Sequence, residues 1–122
     1  MKRVYLALAC GIIALGLVHM AATTRFYATL TQSALWFLSG GLAIALTGAL
    51  NLLNRSYGVA APGLRWTCVA ANAAMTLFAL TAGLVGRASA VAVVVIVGVL
   101  VGTTVLSALP YSVMARRGQG AA

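Results

Sequence analysis

The polar side chains of this chain are few and lie within apolar segments, so we first ask what chemistry they support. Ser39, Thr47 and Asn51 recur at multiples of four residues in the segment ALWFLSGGLAIALTGALNLLN (34–54), and Asn72 lies inside another apolar run. Residues four apart share one face of a helix. Such a row of hydroxyl and amide groups either lines the path of a solute or holds helices together through hydrogen bonds.

Asp and Glu are absent from the sequence, and this restricts the chemistry more than any motif does. A Ser-His-Asp triad lacks its acid, and cation-coupled carriers usually bind the cation with a carboxylate inside the membrane. His19 is the only histidine, whereas metal sites normally need three or four good ligands. We therefore expect no enzyme activity, no cofactor and no metal ion.

The two cysteines leave one alternative open. Cys10 and Cys68 are both predicted in the inner half of the bilayer, where they and Met75 would suit a soft Cu(I) ion. The interpretation that we prefer is two small buried thiols that behave as hydrophobic side chains. A disulfide is not expected on the reducing side of a membrane. His19 is predicted to be a polar residue at the outer interface.

Four apolar runs must position these residues. The chain has 122 residues, is 63% hydrophobic and only 7% charged, which leaves too few polar groups to cover a water-soluble fold of this length. A helix needs roughly 20 apolar residues to cross the hydrocarbon layer, and four segments qualify: 4–22, 33–53, 64–85 and 88–109. Short connections favour antiparallel neighbours. The sequence thus predicts an all-α, polytopic membrane protein, a single transmembrane domain (1–122) folded as an up-down-up-down four-helix bundle.

The basic residues predict the orientation of this bundle. The net charge is +8, but the charges lie at the ends of apolar runs, whereas nucleic-acid-binding proteins cluster them on one face. We expect the lipid bilayer to be the partner and nucleic acid not to be one. One side of the membrane would carry Lys2, Arg3, Arg55, Arg65, Arg116 and Arg117, and the other only Arg25 and Arg87. By the positive-inside rule, both termini are predicted to be cytoplasmic, in the inner (plasma) membrane.

Aromatic residues and helix-terminal residues agree with this topology. The residues predicted at the inner interface are Tyr5, Tyr57, Trp66 and Tyr111, and those at the outer one are Phe26 and Tyr27. Gly86 suits the end of the third helix and Ser89 the N-cap of the fourth, while Pro62 suits a helix start. The basic start and the apolar run after it are typical of a signal peptide, but we expect a retained first span that is neither cleaved nor lipidated at Cys10.

Small residues indicate where the helices touch. In the second span Ser39, Ala43, Thr47 and Asn51 form a row flanked by Gly40, Gly41 and Gly48, with leucines on the opposite side. Close packing and interhelical hydrogen bonds drive association in lipid. We therefore predict that this row is a packing surface, with a hydrogen bond from Asn72 to Thr47.

A GxxxG pair, Gly98 and Gly102, lies in the fourth span. Such pairs pack helices closely, and we favour a contact within the chain over a homodimer.

The segment 34–54, following a span that ends near His19, resembles a general pattern in small, uncharacterised bacterial four-helix inner-membrane proteins. The resemblance covers roughly the first half of the chain and carries no assigned activity. Size and span number are also similar to those of small multidrug exporters and small fluoride channels. The exporters rely on a membrane-embedded glutamate, and the phenylalanine and asparagine motifs of the channels are not recognisable here.

Two functions remain open. One is a structural or accessory membrane protein, with a membrane-protein partner or a second copy of the chain. The other is an oligomeric small transporter or pore for a neutral or anionic solute, whose path would include Ser39, Thr47, Asn51 and Asn72. The two differ in whether water separates the helices at this polar row.

Overall fold

Each of the four apolar runs forms one long α-helix. In this computed structural model, which describes residues 1–86 and 89–109, the helices are α1 (Lys2–Phe26), α2 (Gln32–Tyr57), α3 (Pro62–Val85) and α4 (Ala90–Ala108). All four are long and apolar enough to cross a membrane, and the described ranges contain no strand. The expected all-α, four-helix membrane bundle is thereby confirmed.

The helix ends follow from local side-chain chemistry. Thr31 precedes α2 and its hydroxyl oxygen accepts from the backbone N–H of Ala34 (3.2 Å). Ser89 does the same for α4, accepting from Ala92 N–H (3.2 Å), and Pro62 occupies the first turn of α3 while Gly86 ends it. These contacts satisfy backbone N–H groups that have no partner inside the helix, and they confirm the predicted roles of Pro62, Gly86 and Ser89.

Glycines bring α1 and α2 into backbone contact. A Cβ placed on Gly16 would lie 2.5 Å from the backbone nitrogen of Ala45, and one on Gly48 would lie 2.6 Å from Ile13 Cγ1. A Cβ on Gly41 would lie 2.9 Å from both Gly16 O and the Met20 backbone nitrogen. No real side chain tolerates such distances, so only glycine permits this approach. We call these three glycines, Gly16, Gly41 and Gly48, the glycine seam.

The bundle consists of two hairpins that differ in how closely they meet. α1 packs extensively on α2, and α3 packs on α4, whereas contacts between the first hairpin (α1 and α2) and the second (α3 and α4) are fewer. Within the second hairpin, a Cβ on Gly83 would lie 2.6 Å from Val93 Cγ2. Each hairpin is thus held by its own close contact, and the space between hairpins is where cavities arise.

The polarity of the bundle is inverted relative to a water-soluble protein. The largest fully buried side chains include Tyr5, Asn51, Asn54, Asn72, Thr103 and Ser107. The outer surface carries leucines and valines, among them Leu46, which is 60% exposed, and Val94, which is 71% exposed. This is the arrangement that a hydrocarbon solvent demands, because polar groups must find their partners inside the protein.

The two ends of the bundle differ in charge. α1 and α3 begin, and α2 and α4 end, at what we call the Lys2 end, where Arg3, Arg55 and Arg65 also lie. Arg25 lies in the last turn of α1 at the opposite end, which we call the Phe26 end. The predictions for Arg87, Tyr111, Arg116 and Arg117 fall outside the described residues.

Candidate functional site

Two buried asparagines join the second and third helices. Asn51 Nδ2 donates to Asn72 Oδ1 (2.9 Å) and Asn72 Nδ2 donates to Asn51 Oδ1 (3.0 Å), so each amide is both donor and acceptor for the other. Neither side chain is exposed. A reciprocal amide pair satisfies donors and acceptors together, which is what a group buried away from water requires.

The predicted hydrogen bond between Asn72 and Thr47 is wrong. The Thr47 hydroxyl instead donates to the carbonyl of Ala43 (2.8 Å), one turn earlier in its own helix. A threonine inside a helix commonly satisfies its hydroxyl in this way. The prediction therefore placed Asn72 one helical turn too far along the bundle, beside Thr47, whereas it lies beside Asn51.

Tyr5 adds the first helix to this pair. Its hydroxyl donates to Asn51 Oδ1 (2.8 Å) and accepts from Asn54 Nδ2 (2.9 Å). The Tyr5 side chain is fully buried, so it does not belong to the aromatic belt in which the sequence placed it. The signal that reveals its position is helical spacing, because Tyr5, Ala9, Ile12 and Gly16 are the buried residues of one face of α1.

Asn54 and Arg65 attach the end of the fourth helix. Asn54 Nδ2 also donates to the backbone carbonyl of Ser107 (3.2 Å), and the Arg65 guanidinium donates to the carbonyl of Ala108. The last carbonyls of a helix have no partner within it and carry partial negative charge. Side chains from α2 and α3 therefore satisfy the end of α4. We call the set Tyr5, Asn51, Asn54, Cys68, Asn72 and Ser107 the polar lock.

Gly58 is required by this arrangement. It directly follows α2, and a Cβ on it would lie 2.5 Å from the Asn54 carbonyl oxygen and even closer to the Asn54 side chain. The Gly58 N–H donates to that carbonyl (2.7 Å). Any larger residue would thus displace the amide that bonds Tyr5 and Ser107.

Cys68 is the one thiol inside the polar lock. Its sulfur lies 3.3 Å from Asn51 Oδ1 and 3.6 Å from Asn72 Nδ2, and the residue is fully buried. Cys10 is exposed on the outer surface of α1, so the two thiols occupy different environments. The expectation that both are buried is correct only for Cys68. The described residues contain no cluster of three or more His, Cys, Asp and Glu side chains.

A cavity of about 370 Å³ lies between the two hairpins, toward the Phe26 end. Residues of all four helices line this cavity, and almost all of these residues are apolar. We call it the interhairpin cleft; its lining includes Ile12, His19, Phe37, Thr47, Met75, Ala79, Ala82, Val93, Ile96 and Leu100. The cleft and the polar lock therefore occupy different halves of the bundle.

His19 marks the Phe26 end of the cleft. Its ring stacks on Phe37 with centroids 4.0 Å apart and planes 18° apart. Phe26 and Tyr27 also lie against Phe37, each with a centroid distance of 5.8 Å. The imidazole is partly exposed. The four rings therefore form one edge of the apolar cleft, and the imidazole of His19 is the polar group at that edge.

The other predicted packing positions are not all interior. Ser39 is exposed, and its hydroxyl donates to the carbonyl of Trp36 (2.9 Å). Gly40 is half-buried, with His19 Nε2 3.7 Å from the position of a Cβ. A Cβ on Gly98 would meet no described atom within 4 Å, and one on Gly102 would meet Leu8 Cδ1 at 4.0 Å. The GxxxG pair therefore makes no close helix–helix contact within the described chain.

Comparisons of this chain with protein-family models, with curated proteins and with solved structures find no match. In the described residues, the Asn51 and Asn72 amides and the Tyr5 hydroxyl bond one another inside the polar lock, while Asn54 Oδ1 is buried without a hydrogen-bond partner. The interhairpin cleft offers an apolar surface.

Proposed function

We propose that this small multi-pass membrane protein is an accessory subunit that acts through helix packing, without catalysing a reaction or conducting a solute. The observation that carries the proposal is the reciprocal amide pair of Asn51 and Asn72. Amide groups that lined a path would have to exchange hydrogen bonds with a solute or with water. Here each amide is already bonded to the other, and both are fully buried.

The remainder of the predicted polar path supports the same proposal. Ser39 is exposed on the outer surface of α2 and bonds its own helix. Thr47 is buried on the same side of α2 as Asn51, but its hydroxyl donates to a carbonyl of its own helix. A continuous path through one chain would need Ser39 on that inner side and hydroxyls free to bind a solute. The geometry thus favours the accessory role over the pore.

The outward face of α4 is the surface that we assign to a partner in the bilayer. Val91, Val94, Val101 and Val105 are between 46% and 74% exposed, and Gly98 lies among them. Their spacing of three or four residues places them on one side of the helix. Helices associate in lipid where small residues allow close approach, and β-branched side chains lose little rotamer freedom when they are covered.

Capture from the native membrane tests this role. A tagged chain, extracted in mild detergent, is expected to retain a stoichiometric partner or a second copy of itself. Gly98→Leu should lower the recovered partner by about tenfold, equivalent to about 1.4 kcal/mol. Gly11→Leu on α1 is the matched control, because a Cβ at Gly11 also meets no described atom within 4 Å. Equal losses in both variants, or no partner with the unaltered chain, would contradict the proposal.

We further propose that the Lys2 end faces the cytoplasm of a bacterial cell. Support comes from the basic residues Lys2, Arg3, Arg55 and Arg65 at this end, against Arg25 at the other among the described residues. In intact spheroplasts, an impermeant thiol reagent should label Thr29→Cys, in the loop after α1, above the background of the unaltered chain. Ala60→Cys, in the loop after α2, should stay unlabelled; the reverse pattern would show the opposite orientation.

A further inference from the structure

The interhairpin cleft is an apolar space inside a membrane protein, and it has a volume of about 370 Å³. Among the described residues that line it, His19 and Thr47 alone are polar, and the Thr47 hydroxyl already donates to Ala43 O (2.8 Å). An ordered water needs two to four polar partners, which this lining does not supply. Hydrocarbon is the occupant that such a surface favours, because it restores the dispersion contacts that an empty space loses.

The length and volume of the cleft suit a single hydrocarbon chain. The lining residues of α3 run from Met75 to Gly83 and those of α4 from Ala92 to Leu100, which corresponds to about 12 Å along each helix. A volume of about 370 Å³ lies within the range of sites that hold small ligands. One flexible hydrocarbon chain can follow a space of this length.

The charge near the Phe26 end of the cleft favours an anionic lipid as the source of this hydrocarbon chain. His19 lies at the Phe26 end of the cleft, and Arg25 is exposed in the last turn of the same helix, about 9 Å further along. The sequence contains no carboxylate side chain that would repel an anion. A phosphate at this level of the bilayer would therefore meet positive charge and no opposing acidic side chain.

The geometry points to a lipid-binding site: the interhairpin cleft holds one acyl chain of an anionic phospholipid from the leaflet at the Phe26 end. His19 and Arg25 lie on the headgroup side, and Ile12, Thr47 and Leu100 lie at the deep end near the polar lock. The site is independent of the proposed accessory role, because it uses the space between the hairpins and not the outward face of α4. Pockets of this size, lined by apolar groups with few polar ones, are typical ligand sites between helices.

Photolabelling in vesicles tests this site. The purified chain is reconstituted in phosphatidylcholine with a minor fraction of phosphatidylglycerol that carries a diazirine on one acyl chain. After irradiation, labelled residues are mapped by mass spectrometry. Label should concentrate on cleft residues such as Met75, Ala79 and Ile96, relative to outward residues such as Leu77 and Val94, which are 67% and 71% exposed. A uniform distribution over both sets would overturn the proposal without reference to any variant.

A matched pair of tryptophan variants sharpens the test. Ala79→Trp fills the cleft and should lower its labelling by about tenfold, whereas Ala73→Trp, at an exposed position on the opposite side of α3, should leave it unchanged. Unchanged labelling in Ala79→Trp would contradict the site. The same diazirine chain on phosphatidylcholine should label the cleft less; equal labelling would overturn the anionic headgroup. If Ala79→Trp does not fold, the labelled positions in the unaltered chain decide the question.

Discussion

At the scale of single residues, the interior of this protein is held by side chains that a water-soluble core would exclude. Asn51 and Asn72 could be predicted as interior residues from the sequence alone, since an amide inside an apolar run has no partner in lipid. The hydrogen-bond partner of each amide could not be predicted, because an error of one helical turn exchanges Asn51 for Thr47. Tyr5 was missed because a tyrosine near the start of a span is typical of the aromatic belt.

Removing the Tyr5 hydroxyl measures its share of the polar lock. Tyr5→Phe loses one hydrogen bond to Asn51 and one from Asn54. Asn51 still bonds Asn72, and Asn54 still bonds the carbonyl of Ser107. We therefore expect a loss of about 1–2 kcal/mol in the free energy of unfolding, within the range for hydrogen bonds inside membrane bundles. Unfolding in mixed micelles of denaturing and mild detergent provides the measurement.

The control for this variant is Tyr57→Phe. Tyr57 is 50% exposed near the end of α2, so its loss of a hydroxyl should change the unfolding free energy by less than about 0.5 kcal/mol. Equal effects of the two variants would mean that the Tyr5 hydroxyl contributes no more than an interfacial one.

At the scale of helices, the contact between α1 and α2 depends on backbone approach. The sequence predicted a broad face of small residues on α2, and it could not say which part of that face touches another helix. In the structure the contact lies at Gly41 and Gly48, while Ser39 is exposed. The part of this face that α1 covers depends also on the partner helix, where Gly16 lies against Gly41 and Ala45.

A single methyl group tests the glycine seam. Gly48→Ala would place a Cβ 2.8 Å from the backbone nitrogen of Ile13 and 2.9 Å from the carbonyl oxygen of Ala9. Because backbone atoms cannot move aside as a side chain does, we expect a loss of about 1–3 kcal/mol in the free energy of unfolding. The same micelle unfolding experiment provides the value.

Gly11→Ala is the matched control on the partner helix. A Cβ at this position meets no described atom within 4 Å, and alanine is the better helix former, so no loss of stability is expected. A larger loss for Gly11→Ala than for Gly48→Ala would place the close contact between α1 and α2 on another face.

At the scale of the whole molecule, the two halves of the bundle differ. The polar lock joins all four helices toward the Lys2 end, while the interhairpin cleft lies between the hairpins toward the Phe26 end. The number and length of the helices were predictable because the thickness of the bilayer determines them. The cleft was not predictable, because its shape depends on how the two hairpins meet. A pattern of valines and alanines does not determine how they meet.

The reactivity of Cys68 reports directly whether the polar lock closes the interior of the bundle. In a Cys10→Ala variant Cys68 is the only thiol, and it lies 3.3 Å from Asn51 Oδ1 in the middle of the lock. A charged, water-soluble thiosulfonate is applied to both sides of reconstituted vesicles, and the modified fraction is followed by mass spectrometry. We expect Cys68 to react at least about a hundredfold more slowly than in the chain unfolded in denaturing detergent, since only local opening would expose it. Rates that agree within about threefold would show that water reaches Asn51 and Asn72, and would contradict the closed interior.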